Sequence, residues 1–142
     1  MLDPTDRALI ALLRDDARAS TAALARRLGL SRTTVQSRME RLQRQRVIAG
    51  YTVVVADEVE AGLVRAHVLI TLAPKRSGAI ETALRRIPEV RVLHSVSGPF
   101  DLIAVVAATS IGELDALIDR IGGLDGVERT TSAIVLSTRI QR

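Results

Sequence analysis

Residues 20–51 read STAALARRLGLSRTTVQSRMERLQRQRVIAGY, and this stretch decides how the first part of the chain folds. Ser20 is a helix N-cap type, and Leu24, Ala25 and Leu28 recur after it at the spacing of one helical face. Gly29 stands where a helix C-terminus favours a left-handed residue. Two positions later Ser31 can cap again, opening a helix that carries Val35, Met39 and Leu42 on one side. Two short helices joined by a tight, glycine-containing turn form the arrangement that presents its second helix to a DNA major groove; a plain helical hairpin is the alternative.

At about 100° per residue, turning Val35, Met39 and Leu42 inward sends Thr33, Ser37 and Arg44 to the opposite side. Thr34, Gln36, Glu40 and Arg41 lie beside them, and Arg32 and Arg38 fall on the flanks. Such a face is polar and rich in donors. A merely solvated basic helix would look similar, but the charge is not evenly spread. Residues 1–55 hold ten Arg against five Asp or Glu, whereas residues 56–142 hold ten Lys or Arg against eleven acids. The whole excess behind the net charge of +4 therefore sits in the first part of the chain, where a polyanion would bind. The residues expected to meet double-stranded DNA are Arg32, Thr33, Thr34, Gln36, Ser37, Arg38, Arg41 and Arg44.

Upstream, Asp3 and Pro4 read as an N-cap followed by proline at the first helical position, and Leu9, Ile10, Leu12 and Leu13 continue a helix over residues 4–14. Downstream, the β-branched run Thr52–Val55 reads as a small wing strand, and residues 56–62, with three acids and Gly62, read as a linker. The expected organisation is a helix-turn-helix domain over 1–55, a linker over 56–62 and a second domain over 63–142.

The second domain shows a repeated pattern. Strands are expected over 64–72, 90–97, 100–108 and 127–138, with helices over 77–86 and 111–121 and a Gly98-Pro99 turn between the middle strands. The order βαββαβ is that of a ferredoxin-like fold, with both helices on one face of an antiparallel sheet. The fold class is thus α+β: an N-terminal winged helix-turn-helix plus a C-terminal ferredoxin-like domain. The uncovered sheet face is apolar and calls for a partner, of which a second copy is the commonest. Single-stranded RNA binders share the order but stack bases on aromatic side chains, and here aromatics are 1% of the sequence.

Composition removes several other classes. The 47% hydrophobic and 25% charged content of the 142 residues is that of a globular protein. The longest apolar run, Leu102–Ala108, is far short of the roughly 20 residues that span a bilayer. No basic-then-apolar leader opens the sequence, so no membrane association and a cytoplasmic location are expected. Without cysteine there is neither a disulfide framework nor a thiolate metal site or nucleophile. His67 and His94 lie in expected strands with no second ligand at metal spacing, so no metal or cofactor is expected. His94, Ser95 and Asp101 are the nearest approach to a catalytic set, and only sequence proximity joins them.

Three segments carry a resemblance over the full length: LDPTDRALIALLRDDAR (2–18), LARRLGLSRTTVQSRMERLQRQRVIAGYTV (24–53) and VSGPFDLI (96–103). The chain resembles the Lrp/AsnC, or feast/famine, regulators. The resemblance implies a DNA-binding regulator that responds to an amino acid or related metabolite, with no enzymatic activity. It further implies a C-terminal domain that forms homodimers and then a tetramer of dimers. The family's effector region maps onto Ser97, Gly98, Pro99, Phe100 and Asp101, and onto Thr130, Thr131 and Ser132. Asp101 would suit an ammonium group, while backbone N–H groups beside Gly98 and nearby hydroxyls would suit a carboxylate; an ordinary hairpin turn accounts for 98–101 equally well. Arg46 departs from the glycine often found before the wing. Two alternatives share the architecture: a sirohaem-decarboxylase-like enzyme and an effector-independent architectural DNA binder.

Overall fold

A computed structural model describes residues 1–141, Asp57 by its backbone alone, and the chain divides into two compact units between Val54 and Val55. Residue 142, the last of the expected second domain, lies outside the described residues.

The first unit is three helices, α1 (Pro4–Asp15), α2 (Thr21–Leu28) and α3 (Arg32–Arg44). Each start is fixed by a side chain accepting from the backbone: Asp3 from Asp6 at 2.7 Å, Ser20 from Ala23 at 3.1 Å and Ser31 from Thr34 at 3.1 Å. Caps of this kind contribute about 1 kcal/mol each. Gly29 ends α2 with φ 66° and ψ 33°, while Leu30 N–H donates to the Ala25 carbonyl and Gly29 N–H to that of Arg26. These two bonds close a Schellman motif, which needs a left-handed residue and so needs glycine. The turn aims α3 across α1 and α2, and Leu9, Leu13, Leu24, Ala25, Val35 and Leu42 bury themselves between the three.

The strand expected over Thr52–Val55 does not form. Among the described residues this run pairs with no strand, and Val53 and Val54 are 80% and 87% exposed. β-Branched side chains favour extended backbone, but a strand is stabilised by a ladder partner and packed neighbours, which this unit does not supply. Within the stretch expected as a linker, Asp57–Glu60 winds into a single turn of helix, α4.

The second unit contains β1 (Val64–Leu72), α5 (Ser77–Arg85), β2 (Val90–Ser95), β3 (Leu102–Ala108), α6 (Ile111–Gly122) and β4 (Val127–Ile134). The strands form one antiparallel sheet in the order β2-β3-β1-β4, with irregularities of register at Thr71/Leu72 and at Val90/Val92. Because side chains alternate along a strand, Ala66, Val68 and Ile70 share one face with Leu102, Ala104 and Val106. This face is buried under Ile80 and Leu84 of α5 and Leu114, Leu117 and Ile121 of α6. The other face carries Leu69, Ile103, Val105 and Val92 together with His67, His94 and Arg129. Strands β2 and β3 stop short of the expected 97 and 100 because residues 97–100 loop out, closed by Val96 N–H donating to the Asp101 carbonyl at 3.1 Å. Strand β4 ends at Ile134 rather than 138: Ala66 faces Ile134 in the last register pair, and a single further bond, from Val135 N–H to the Arg65 carbonyl at 2.8 Å, follows it.

Candidate nucleic-acid interface and ligand loop

Helix α3 is mounted by ions as well as by its apolar stripe. Asp6, in the first turn of α1, is 2% exposed and is the only buried charged residue described. Its Oδ1 accepts from Arg38 Nη1 at 2.8 Å, and Arg41 Nη2 donates to both carboxylate oxygens at 2.7 Å. Arg38 Nη1 also donates to Asp3 Oδ2 at 2.7 Å. The hydrogen bond from Arg38, reinforced by the Asp6 backbone N–H, holds the Asp3 carboxyl below the usual carboxylate range, and the Arg38 guanidinium is raised in turn by Asp3 and then Asp6. Arginine is suited to this role because its fixed fork can serve two carboxylates at once.

The expected DNA-facing set therefore divides. Arg32, Thr33, Thr34, Gln36, Ser37 and Arg44 are exposed. Arg38, expected on a flank, and Arg41, expected beside the DNA-facing side, are half-buried and engaged with Asp3 and Asp6. Thr34 also serves the start of its own helix, its hydroxyl lying 2.8 Å from that of Ser31. A shallow concave strip is lined by Arg32, Thr33, Gln36, Ser37 and Glu40 of α3 with Thr21 of α2. Along it Gln36 Nε2 donates to Glu40 Oε1 at 3.0 Å.

Sequence reasoning missed Asp6. An acid in a first helical turn reads as a helix-dipole residue, and only the meeting of α1 with two arginines one helical turn apart identifies it as an anchor.

In the second unit Ser97, Gly98, Pro99 and Asp101 are exposed and Phe100 is half-buried. Gly98 has φ 104°, which its place in the loop requires. Asp101 is spoken for by its neighbours: its N–H donates to the Ile70 carbonyl at 2.9 Å and its Oδ2 accepts from Leu72 N–H at 2.8 Å. The loop thereby closes on the end of β1 and borders a polar cleft that includes Lys75, Arg76, Ser77 and Ser95. Those two cations were not singled out from sequence.

The three hydroxyl residues of β4 are not brought together. Thr130 and Ser132 are paired with Ile70 and Val68, whose side chains point to the helix-covered face, whereas Thr131 is opposite Leu69 on the open face. Strand β1 separates them from the 97–101 loop.

His67 and His94 are exposed on the open face. Among the described residues no three His, Cys, Asp or Glu side chains are grouped to hold a metal, and no helix is long and apolar enough to cross a membrane.

The model of the AsnC-type helix-turn-helix domain matches residues 2–43, and that of the Lrp/AsnC ligand binding domain matches residues 65–142. The HTH-type transcriptional regulator LrpA of Mycobacterium tuberculosis is 38% identical over 96% of this chain and 91% of its own length. The HTH-type transcriptional regulator LysM of Saccharolobus solfataricus is 30% identical over 96% of this chain and 95% of its own. Among solved structures, Escherichia coli AsnC superposes with a TM-score of 0.90 at 27% identity, covering 100% of this chain and 97% of that one. A feast or famine regulatory protein of M. tuberculosis, complexed with L-methionine, superposes with a TM-score of 0.89 at 37% identity, covering 99% and 96%. The helix-turn-helix, the four-stranded sheet and these likenesses lead to one assignment: the chain belongs to the Lrp/AsnC family and is a DNA-binding transcriptional regulator, not an enzyme.

Proposed function

We propose that this regulator reads duplex DNA with α3 and answers to a small amino acid bound beside the 97–101 loop. The observation that carries the first half is the exposed strip of Arg32, Thr33, Gln36 and Ser37, held at a fixed angle by the buried Asp6. Arg32 reaches a base edge or phosphate, Thr33, Thr34 and Ser37 donate to the backbone, and Arg44 lies along the phosphates. Arg38 and Arg41 add positive charge from the flanks while anchoring the helix.

The second half is supported by the ligand-binding family model over 65–142 and by the L-methionine complex of the M. tuberculosis relative. Ser97, Gly98, Pro99, Phe100 and Asp101 supply the pocket wall and the free carboxylate oxygen of Asp101 takes the ammonium group, while Thr130, Thr131 and Ser132, a strand away on β4 and split between its two faces, stay outside this pocket. The open sheet face, with Leu69, Ile103, Val105 and Val92, covers itself against a second copy, and the dimers assemble further into a tetramer of dimers. Such a protein acts in the cytoplasm, where its DNA is.

The test is a binding series on genomic DNA fragments. Affinity falls steeply with salt as counterions are released, and Arg32→Ala costs about 1 to 3 kcal/mol on the bound fragment. Binding that is unchanged by Arg32→Ala and by salt would overturn the DNA reading. In parallel, thermal shift against the twenty amino acids finds at least one that stabilises the chain, by about 2.7 kcal/mol at 100 times its dissociation constant. A uniformly flat panel would leave an effector-independent DNA binder.

A further inference from the structure

Helix α3 carries a single acid, Glu40, and places it on the very face proposed to meet a polyanion. Its carboxylate has no arginine within 4.0 Å among the described residues, although Arg41 and Arg44 are close in sequence. Instead it accepts a hydrogen bond from Gln36 Nε2, one helical turn earlier, at 3.0 Å, and both side chains are exposed. Charge alone does not explain a lone carboxylate there, since it opposes phosphate.

A glutamine amide is nearly symmetric in shape but not in chemistry: one end donates twice and the other accepts. Left free, it can present either end to a base. A carboxylate only accepts, so Glu40 determines which end lies toward it: the nitrogen. With the N–H trans to Oε1 given to Glu40, the cis N–H and Oε1 stand side by side for a base, a donor next to an acceptor. Adenine offers the complementary pair in the major groove, an N6 amino donor beside the N7 acceptor, whereas guanine offers two acceptors.

We infer that Gln36 and Glu40 form one specificity element that reads an adenine, Glu40 acting as a positioning residue that fixes the sense of the Gln36 amide and as a charge that lowers affinity for duplex DNA in general. The inference rests on α3 docking in the major groove. The same carboxylate that orders the amide opposes phosphate in every register, so net affinity is recovered only where the amide finds its base. The repulsion is common to all sites and keeps overall affinity low; the difference between sites comes from the amide, whose sense Glu40 fixes.

The test uses the full chain and a random duplex library, followed by anisotropy titrations on the selected duplex and on versions with each base pair changed. The wild type selects an adenine in each half-site and prefers it about ten-fold over other bases. Gln36→Ala abolishes the preference at that pair and no other. Glu40→Ala reduces it to two- or three-fold while tightening binding to unrelated duplex, and Glu40→Gln, which keeps an acceptor for the amide but removes the charge, retains the preference while also tightening non-specific binding. Selection without an adenine, or Gln36→Ala and Glu40→Ala that leave every base preference unaltered, overturns the specificity element and leaves the docking of α3 intact. Failure of the wild type to retain any duplex overturns the docking as well.

Discussion

The two units mount their working parts by opposite means. In the first, a helix that must stay polar on one side is gripped on the other by a half-apolar stripe and by a buried carboxylate holding two arginines. In the second, aliphatic residues on a sheet and two helices supply the whole support, and polar function is displaced to the loops. The difference follows from available surface. A three-helix unit of about fifty residues buries a smaller share of its surface than a larger domain, and a charge-assisted anchor adds direction that apolar packing lacks. A sheet covered by two helices needs no such device.

Breaking the apolar unit gives the largest effect. Leu84→Ala or Ile70→Ala, each at a position with no exposure, should lower the stability of the second unit by about 2 to 5 kcal/mol in denaturant unfolding. Removing the polar anchor comes next. Asp6→Asn should cost the first unit about 1.5 to 3 kcal/mol, the worth of hydrogen bonds to a charged group, and should also weaken DNA binding because α3 loses its fixed angle. A variant of unchanged stability would show that the apolar stripe alone holds α3.

Acid separates the anchors without mutation. The Asp3 carboxyl is held low by Arg38, and that of Glu113 by the Thr109 hydroxyl and N–H at the start of α6. A group whose folded pKa is depressed contributes stability that is complete above its unfolded value and is lost as pH falls through the folded one. Unfolding midpoints should therefore hold steady from neutrality to about pH 5 and decline below the ordinary carboxylate range of about 4. Asp3→Asn should flatten that decline in the first unit and Glu113→Gln in the second, as read by domain-resolved hydrogen exchange.

The smallest effect belongs to Arg46, which sits in the left-handed region with φ 55° just after α3. Its departure from the resemblance thus falls on a position where glycine has a conformational advantage. Arg46→Gly should raise the stability of the first unit by about 0.5 to 1 kcal/mol, the relief of strain being partly offset by the greater entropy of unfolded glycine.

Much of the molecule was legible beforehand because its signals are local. Ser20, Gly29 and Ser31 act within four residues of themselves, and the apolar runs within 64–72 and 102–108, bounded by turn residues, mark strands directly. What was not legible depends on distant partners. Thr52–Val55 has strand chemistry but no ladder to join. Arg38 and Arg41 have phosphate-binding chemistry, yet a carboxylate more than thirty positions away in sequence claims them. Thr130, Thr131 and Ser132 look like one polar cluster in the sequence, and the two-residue period of a strand sends them to opposite sides.

The bond from Leu72 N–H to Asp101 has a mechanical corollary. It clips a hairpin tip to the terminus of a central strand, β1, which is flanked by β3 on one edge and β4 on the other. Replacing Asp101 by Ala should accordingly loosen the end of β1 first, seen as faster amide exchange at Leu72 than elsewhere on the strand.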